Sequence, residues 1–448
     1  MVIVGAGIVG ASIAYHLARQ GQHVIVVEQA HPAAGATGRS FGWISEGVPE
    51  GAPDAFLRRE IVADWIRLAQ EIPDLWVNWS GALSYGQAPA TQNPDNRLLP
   101  SAEVTALEPG LRQPDSQAYF AARDGAVDPQ EVTQRLLECV RAWGGELFLG
   151  RTVSGFLRED GQIIGIVTEE GAITADRVVL ACGTGISALL DGSGFSLPIE
   201  ASPAILLRYH AAAQVVNTLI AGDDIEVRHA QNGDLLAAED YPAHGDENRV
   251  EGEAQSAIEG RLPGTAPLKL QACSVGMRPR PRDGYPIVGP LGATCLYVAV
   301  MHPAVMCAPT LGRLIGDELL HGVNSAIPHA YRPARFINDG CEGGDHRDLR
   351  QTAPWSRRSG FPTTDQHRNT LNPAAVFCAL GEALIYLVAC LRQVRHETAV
   401  DLAAASTTVN PFAKRLRAGA FGRDSRQSFL RRPKAEQLLT GHEDTYHA

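Results

Sequence analysis

The stretch MVIVGAGIVGASIAYHLARQGQHVIVVEQA, residues 1–30, decides the fold of this chain. Its residues 2–4 form an apolar run typical of a buried strand, and a Gly-x-Gly-x-x-Gly motif follows at once. The apolar spacing predicts a helix over 11–20, and a second strand over 23–27 ends at Glu28. A strand, a glycine turn, a helix, a strand and an acid in this order predict a Rossmann-like dinucleotide-binding unit.

Each defined position of this motif has a physical role. Gly5 permits a tight turn, Gly7 lets the backbone approach a pyrophosphate at the helix N-terminus, and Gly10 lets the helix lie close to the strand. Glu28 can accept hydrogen bonds from both hydroxyls of an adenosine ribose, and its charge disfavours the 2′-phosphate of NADP. The alternative is a glycine-rich turn in an α/β fold that binds no ligand.

A second loop of small residues follows directly after Glu28. Residues 31–44 carry glycines, alanines and one arginine, Arg39, and such a loop can wrap a large flat ligand with backbone N–H groups. An NAD site does not need this second loop, whereas FAD, which is buried along its whole length, does. The sequence therefore predicts FAD, with a plain surface loop as the alternative. Residues 35–47 contain no His or Cys, so we expect the FAD to be non-covalent.

Length and composition limit the remaining possibilities. The 448 residues can hold two or three domains, and the 45% apolar and 20% charged residues are ordinary for a soluble enzyme. The net charge of −11 argues against a nucleic-acid partner. Eight scattered cysteines without metal-ligand spacing predict reduced thiols and no metal site. Because the chain begins inside its first strand, we expect no signal peptide and a cytoplasmic location.

Periodicity predicts further elements along the chain. Helices are expected over 53–72 and over 129–143, the latter with Asp128 as N-cap. One strand is expected over 173–180, leading into a glycine-rich turn. Further strands, joined in part by a Gln-Asn-Gly hairpin turn, are expected over 197–211, 225–230 and 234–238.

These elements predict an α/β protein in which a Rossmann-like FAD-binding domain is interleaved with an antiparallel-sheet α+β substrate domain. An irregular C-terminal extension completes the chain. The expected ranges are 1–50, 126–192 and 276–336 for the FAD-binding domain, 51–125 and 193–275 for the substrate domain, and 337–448 for the extension.

The extension contains one apolar run, residues 374–391, which is interrupted by Glu382. Its length is that of a short membrane helix, but the internal acid and the missing aromatic belt argue against a membrane span. We expect an extension that is poorly ordered or partly helical over this run. Peripheral contact with the inner face of the membrane is kept open as a second interpretation.

Three arginines occupy every second position of a predicted strand that ends at an Asp-Gly turn. Because side chains alternate across a strand, Arg278, Arg280 and Arg282 share one face. One of them can point into a cavity as an anion clamp, whereas Arg280 and Arg282 are expected to be solvated.

At this point the motifs resemble a family. VIVGAGIVGAS with its acid, GATGRSFG, GAVDPQEVTQRL with ADRVVLACG, and GMRPRPRDGYPIVGP with APTLGRLIGDEL and YRPARF occur in order over residues 1–336. The order resembles the glycine oxidase, sarcosine oxidase and D-amino-acid dehydrogenase group of FAD-dependent amine oxidoreductases, the D-amino-acid oxidase superfamily. The resemblance implies oxidation of the C–N bond of a small amine or amino acid to an imine by hydride transfer to flavin N5.

The resemblance also implies roles for individual residues. Arg278 matches the arginine that binds the substrate carboxylate, and the loop 302–306 runs past the flavin pyrimidine end. The implied cofactor-binding residues are Gly5, Gly7, Gly10, Glu28, Thr37, Arg39, Ser40, Val153, Gly183 and Val305. Electrons would pass to O2 or to a quinone or another carrier. Some relatives use a lysine near N5 for O2, and Lys269 is the only lysine before the C-terminal extension.

Two rival functions remain open. The same scaffold supports an FAD-dependent 2-hydroxy-acid dehydrogenase, which needs a base near the substrate, and His302 is the only candidate. The second rival is a catalytically inactive flavin-binding subunit. It is favoured by the loop 301–306, which is bulky and contains no glycine, whereas this family usually has Gly-His followed by small residues there.

Overall fold

The computed structural model describes residues 1–45, 47–48, 51–86, 96–112, 117–243, 245–322 and 326–337. The strands are, in chain order, β1 (Val2–Val4), β2 (Ile25–Glu28), β3 (Trp43–Ile44), β4 (Ala82–Ser84), β5 (Asn96–Pro100), β6 (Gln117–Ala121), β7 (Gly125–Ala126), β8 (Glu146–Leu149), β9 (Val153–Glu159), β10 (Gln162–Thr168), β11 (Gly171–Thr174), β12 (Val178–Leu180), β13 (Ile199–His210), β14 (Leu219–Ala221), β15 (Glu226–His229), β16 (Leu235–Asp240), β17 (Lys269–Pro281), β18 (Ile287–Pro290) and β19 (Leu296–Val300). The helices are α1 (Ile8–Arg19), α2 (Ala55–Arg58), α3 (Ile61–Glu71), α4 (Ser101–Leu107), α5 (Pro129–Ala142), α6 (Gly185–Leu190), α7 (Glu247–Arg261), α8 (Ala308–His321) and α9 (Ala334–Ile337).

The first sheet has the strand order β18-β19-β12-β1-β2-β8. Its pairs are parallel except for β18, which runs antiparallel to β19. The central strands are apolar throughout because both faces of the sheet are covered, as parallel sheets require. The expected Rossmann-like half of the fold is confirmed, with β1, α1 and β2 in the places that the first thirty residues indicated.

A small antiparallel sheet, β11-β10-β9, covers the first sheet on one side. The single strand expected over 173–180 is wrong in one respect, because the chain changes sheets within it. β11 ends at Thr174 in the small sheet and β12 starts at Val178 in the first sheet. The polar pair Asp176 and Arg177 lies in the gap, where the chain leaves one ladder for the next.

The second sheet is mixed and has the strand order β17-β13-β16-β15-β14-β4-β6-β5. Its long pair β13 and β17 is antiparallel over twelve registered positions from Ile199 to His210. The hairpin between β15 and β16 is confirmed, and its Gly233 has a φ of +87° that favours glycine. One face packs on α4 and α7, and the other face turns toward the first sheet.

The helix expected over 53–72 is divided into α2 and α3. The sequence places both helices, as part of residues 51–125, in the substrate domain. In the structure their Leu57, Ile61 and Trp65 pack in the core that α1 and α8 share with the first sheet. Residues 276–281, assigned to the FAD-binding domain, are part of β17 in the second sheet. We propose that both boundaries follow these cores, with α2 and α3 in the first domain and all of β17 in the second.

The expected C-terminal extension over 337–448, including the apolar run 374–391, lies outside the described residues apart from Ile337. Within the residues that the structure describes, no helix is both long and apolar enough to cross a membrane.

A buried arginine of β15 joins the two sheets. Arg228 is 2% exposed, and its Nε donates to the Phe41 carbonyl oxygen at 2.5 Å. Its Nη2 donates to the carbonyl oxygen of Val127 at 2.7 Å and to Oδ1 of Asp128 at 3.3 Å. Burial lowers the pKa of Arg228 to about 10 although Asp128 opposes the shift, so the side chain stays cationic at neutral pH.

This arginine also corrects the expected N-cap of α5. Asp128 stands at the N-cap position, but its carboxylate does not cap the helix. Instead its Oδ1 accepts from Arg228, and its Oδ2 accepts from the backbone N–H of Gln231 at 3.0 Å. The tertiary contact outcompetes the local one because it neutralises a buried charge.

Replacing Arg228 with Met should destabilise the protein, because Asp128 and two buried carbonyl oxygens lose their donor. We expect the free energy of unfolding to fall by about 3 kcal/mol, the range of a broken buried ion pair. Thermal or denaturant unfolding measures it. The matched control is Arg282→Met. The native Arg282 side chain is 72% exposed, so this substitution should lower the free energy of unfolding by less than about 1 kcal/mol. Equal stability of the two variants would contradict the role of Arg228.

Candidate active site

A central cavity of about 880 Å³ lies at the carboxyl ends of the parallel strands. Its turn end is lined by Gly5, Gly7, Glu28 and Val153, among others. Its sheet end is lined by Ala204, Ala238, Asp240 and Arg278 of the second sheet. Open α/β sheets bind ligands at this edge, and the volume is at the upper end of the range for small-molecule sites.

The glycines of the turn are required by close backbone contacts. Gly5 has a φ of +104°, and a Cβ there would lie 2.7 Å from the carbonyl oxygen of Ala181. A Cβ on Gly10 would lie 2.0 Å from the carbonyl oxygen of Gly5, so α1 can sit against β1 only with glycine there. Gly5 and Gly7 line the cavity, whereas Gly10 packs behind it.

The N-terminus of α1 opens into the cavity beside Thr37. The N–H of Ile8 donates to the Thr37 hydroxyl at 3.1 Å, and a Cβ on Gly7 would lie 3.2 Å from the same oxygen. The first N–H groups of a helix have no intrahelical partner and carry partial positive charge. This cradle fits the pyrophosphate of a dinucleotide.

Glu28 occupies the turn end as a fixed acceptor. Its Oε2 accepts from the N–H of Ala6 at 2.8 Å, and its Oε1 accepts from the N–H of Ala30 at 3.0 Å. These two backbone bonds orient the carboxylate, whose remaining lone pairs are available to ligand hydroxyls. Val153 begins β9 and lines the cavity at the same end.

The second glycine-rich loop forms the wall between the two ends. Thr37, Arg39 and Ser40 all line the cavity, and Thr37–Arg39 is a short 3-10 turn. The guanidinium of Arg39 does not reach across the cavity, because its Nη1 donates to the carbonyl oxygens of Ala34 and Gly35 in its own loop. It therefore closes the loop on itself.

The loop after β19 forms the opposite wall. Its residues 301–306 line the cavity, and Val305 is buried. Trp65 of α3 donates from Nε1 to the carbonyl oxygen of Met306 at 2.8 Å, which fixes the loop from behind. Gly183, with a φ of +58°, follows β12 and lines the cavity as well.

Arg278 projects from β17 at the sheet end. Its Nε lies 3.3 Å from the carbonyl oxygen of Ser202, and its Nη2 donates to the Ser202 hydroxyl at 3.0 Å and to the carbonyl oxygen of Pro203 at 3.1 Å. Its Nη1 has no hydrogen-bond partner among the described residues. Burial lowers the pKa of Arg278, and the charge of Asp240 opposes this effect.

His302 lies in the opposite wall and is uncharged. Burial lowers its pKa to about 3, and repulsion from Arg278, Arg280 and Arg58 adds to this effect. A neutral imidazole of such low basicity can donate or accept one hydrogen bond, but it is a weak general base near neutral pH.

Arg282, Arg280 and Lys269, which the sequence also singled out, do not line the cavity. The Arg282 side chain is 72% exposed and pairs with Glu200, as expected for a solvated residue. The prediction that Arg280 is solvated is wrong, because the residue is half-buried and its charge acts on His302. Lys269, the only lysine in the described ranges, is exposed at the start of β17 and does not line the cavity.

Sequence reasoning missed Arg228 and Asp240. Arg228 gave no signal, because a lone arginine in an apolar strand resembles any edge charge until its long-range partners are known. Asp240 gave a weak one. It ends the alternation of Leu236 and Ala238 in β16, so it shares the cavity face with them.

No group of three or more His, Cys, Asp or Glu side chains that could hold a metal ion occurs among the residues that the structure describes.

Comparisons with known proteins agree with this geometry. A glycine oxidase from Pseudomonas aeruginosa is 25% identical over 363 residues, which cover 75% of this chain and 98% of that protein. The structure of an L-amino acid deaminase from Proteus vulgaris has a TM-score of 0.68 at 19% identity and covers 75% of this chain and 93% of that one.

A third similar structure, L-proline dehydrogenase from P. horikoshii, has a TM-score of 0.66 at 20% identity and covers 75% of this chain and 96% of that one. At such identities the solved structures establish the fold. The family model described as DAO, FAD dependent oxidoreductase, matches residues 1–318. With the glycine turn, the acid and the second loop around one cavity, the chain belongs to the DAO family of FAD-dependent oxidoreductases.

Proposed function

We propose that this enzyme oxidises the C–N bond of a small amine or amino acid to an imine. The observation that carries the proposal is Arg278, a half-buried cation at the sheet end of the cavity whose described hydrogen bonds all go to neutral oxygens. Its open Nη1 can hold a substrate carboxylate by charged hydrogen bonds. Membership of the family identifies the cofactor as FAD, and Arg278 is the reason for placing the substrate at the sheet end of the cavity.

The cofactor would be held without a covalent bond by residues that already line the cavity. Glu28 would accept from the ribose hydroxyls, and Gly5, Gly7 and Thr37 would surround the pyrophosphate. Gly10 would contribute through helix packing. Arg39, Ser40, Val153, Gly183 and Val305 would complete the walls.

Little acid–base machinery is required for this reaction. When bound, FAD accepts the hydride that leaves the substrate carbon. The substrate amine must be neutral, and its nitrogen then loses a proton, so an imine forms that water hydrolyses to a carbonyl compound. The protein orients the substrate through Arg278 and excludes water with apolar walls such as Phe41 and Met306.

The described residues disfavour the 2-hydroxy-acid alternative. That reaction needs a base to remove the hydroxyl proton, and His302, with a pKa of about 3, is a poor one. We propose instead that His302 acts as a neutral hydrogen-bonding group in the cavity wall. The inactive-subunit alternative rested on the bulky 301–306 loop, but an open cavity remains beside that loop.

The electron acceptor is proposed as O2 or a quinone-type carrier. A lysine near the flavin would have favoured O2, but Lys269 is exposed away from the cavity lining. Glycine oxidases are among the similar proteins, and so is L-proline dehydrogenase.

The purified protein should show the twin absorption bands of bound flavin after gel filtration. Denaturation should release the flavin, because no covalent bond is expected. Anaerobic addition of small amino acids and N-methyl amino acids should bleach the band in the blue, and 2-hydroxy acids should not. Bleaching by 2-hydroxy acids alone would replace the proposal with its rival, and a colourless protein that does not take up FAD would favour the inactive subunit.

Arg278→Ala should lower kcat/KM for amino acids about 30- to 100-fold, mainly through KM, since charged hydrogen bonds to the carboxylate are lost. Amines without a carboxylate should be affected far less. Arg282→Ala is the matched control, because this exposed residue lies outside the cavity lining. An unchanged KM for amino acids in the Arg278 variant would contradict its role.

His302→Gln should leave the pH profile of kcat/KM unchanged in shape between pH 5 and 9. A pKa of about 3 means that His302 is neutral throughout this range, so its charge cannot produce a limb of the profile. Steady-state kinetics over this range provide the check. If the substitution removes a limb with an apparent pKa near 6 or 7, His302 titrates as a base and this assignment is wrong.

A further inference from the structure

The sheet end of the central cavity carries opposite charges on one face of the second sheet. Strand β13 lies between β17 and β16, with Ser202 opposite Arg278 and Ala204 opposite Asp240. Because residues two apart share a face, both charged residues lie on the face that lines the cavity.

The register also gives the spacing of the two charges. Two strand spacings across the sheet and one two-residue step along it place the Cα atoms of Arg278 and Asp240 about 12 Å apart. The guanidinium leans over β13 to Ser202 and Pro203, which brings it closer to Asp240 than its backbone. The room between them fits a small molecule with charges at both ends.

Asp240 is exposed to the cavity and has no hydrogen-bond or salt-bridge partner among the described residues. Its neighbours on the wall are small, since Ala204 and Ala238 flank it and leave space for a ligand group. Glu226 of the adjacent strand β15 lines the same wall. The part of this wall that surrounds Asp240 is therefore acidic.

An ionised carboxylate is unsuited to contact the reacting nitrogen. That nitrogen must be neutral when hydride leaves the neighbouring carbon, and an adjacent anion would stabilise its protonated form. The acidic wall instead suits a cation that takes no part in the reaction.

We infer that Asp240 selects substrates with a second, distal cationic group, so that the preferred substrate class is the basic amino acids. This inference rests on the proposed function: Arg278 holds the carboxylate, the α-carbon is oxidised, and the distal ammonium lies against Asp240. The ion pair is open to solvent, so we expect a preference of about 10-fold rather than several orders of magnitude.

Steady-state kinetics with matched substrate pairs test the inference. Lysine is compared with norleucine and ornithine with norvaline, each as both enantiomers, because the members of a pair differ mainly in the distal ammonium. The native enzyme should favour the basic member about 10-fold in kcat/KM. Asp240→Asn should bring this ratio close to one by raising KM for the basic member only.

Glu200→Gln is the matched control. Glu200 lies on the neighbouring strand β13, but its side chain is 61% exposed, pairs with Arg282 and does not line the cavity. This variant should keep the native preference.

A binding measurement separates recognition from turnover. Calorimetric titration of the anaerobic holoenzyme with ε-aminocaproate and with caproate should show tighter binding of the former, and the difference should vanish in Asp240→Asn. A ratio unaffected by this substitution, or a native preference for norleucine, would overturn the inference while leaving the proposed function intact. If no amino acid bleaches the flavin, both fail.

Discussion

The buried guanidinium of Arg228 is the interaction on which the arrangement of the two sheets depends. It lies on β15 of the second sheet and donates to the backbone oxygens of Phe41, in the second loop over 31–44, and of Val127, two residues before α5. If the sheets separated, a buried charge and its partners would lose their compensation. One of the two segments that it holds, the loop that carries Phe41, forms part of the wall of the central cavity.

The first half of the fold could be predicted because its signals are local. The glycine turn, the apolar strand and the acid at Glu28 lie within thirty residues, and each has a steric or electrostatic reason that does not depend on distant partners. The errors arose where distant partners decide. The chain changes sheets between Thr174 and Val178, and α3 packs in the core of the first sheet. Asp128 pairs with Arg228 instead of capping α5.

The candidate site divides in the same way. Residues that contact neighbouring backbone occur in short motifs, and Gly7, Glu28 and Thr37, which the sequence proposed, all line the cavity. Strand alternation placed Arg278, Arg280 and Arg282 on one face, and only the family resemblance singled out Arg278. The position of Asp240 depends on the register of three strands. The hydrogen bond from Arg39 to its own loop could not be predicted either, because the sequence does not determine which rotamer an arginine side chain adopts.

The alternation of β13 and β16 has a consequence for how this enzyme can diverge. Leu207 and Ala237 face the core under α7, whereas Ala204 and Asp240 face the cavity. Odd and even positions of the same strands therefore evolve under separate constraints, one set for folding and one for ligand choice. A lineage can acquire a new substrate by exchanging a few even-numbered residues, without altering the cofactor half or the packing that keeps the protein folded.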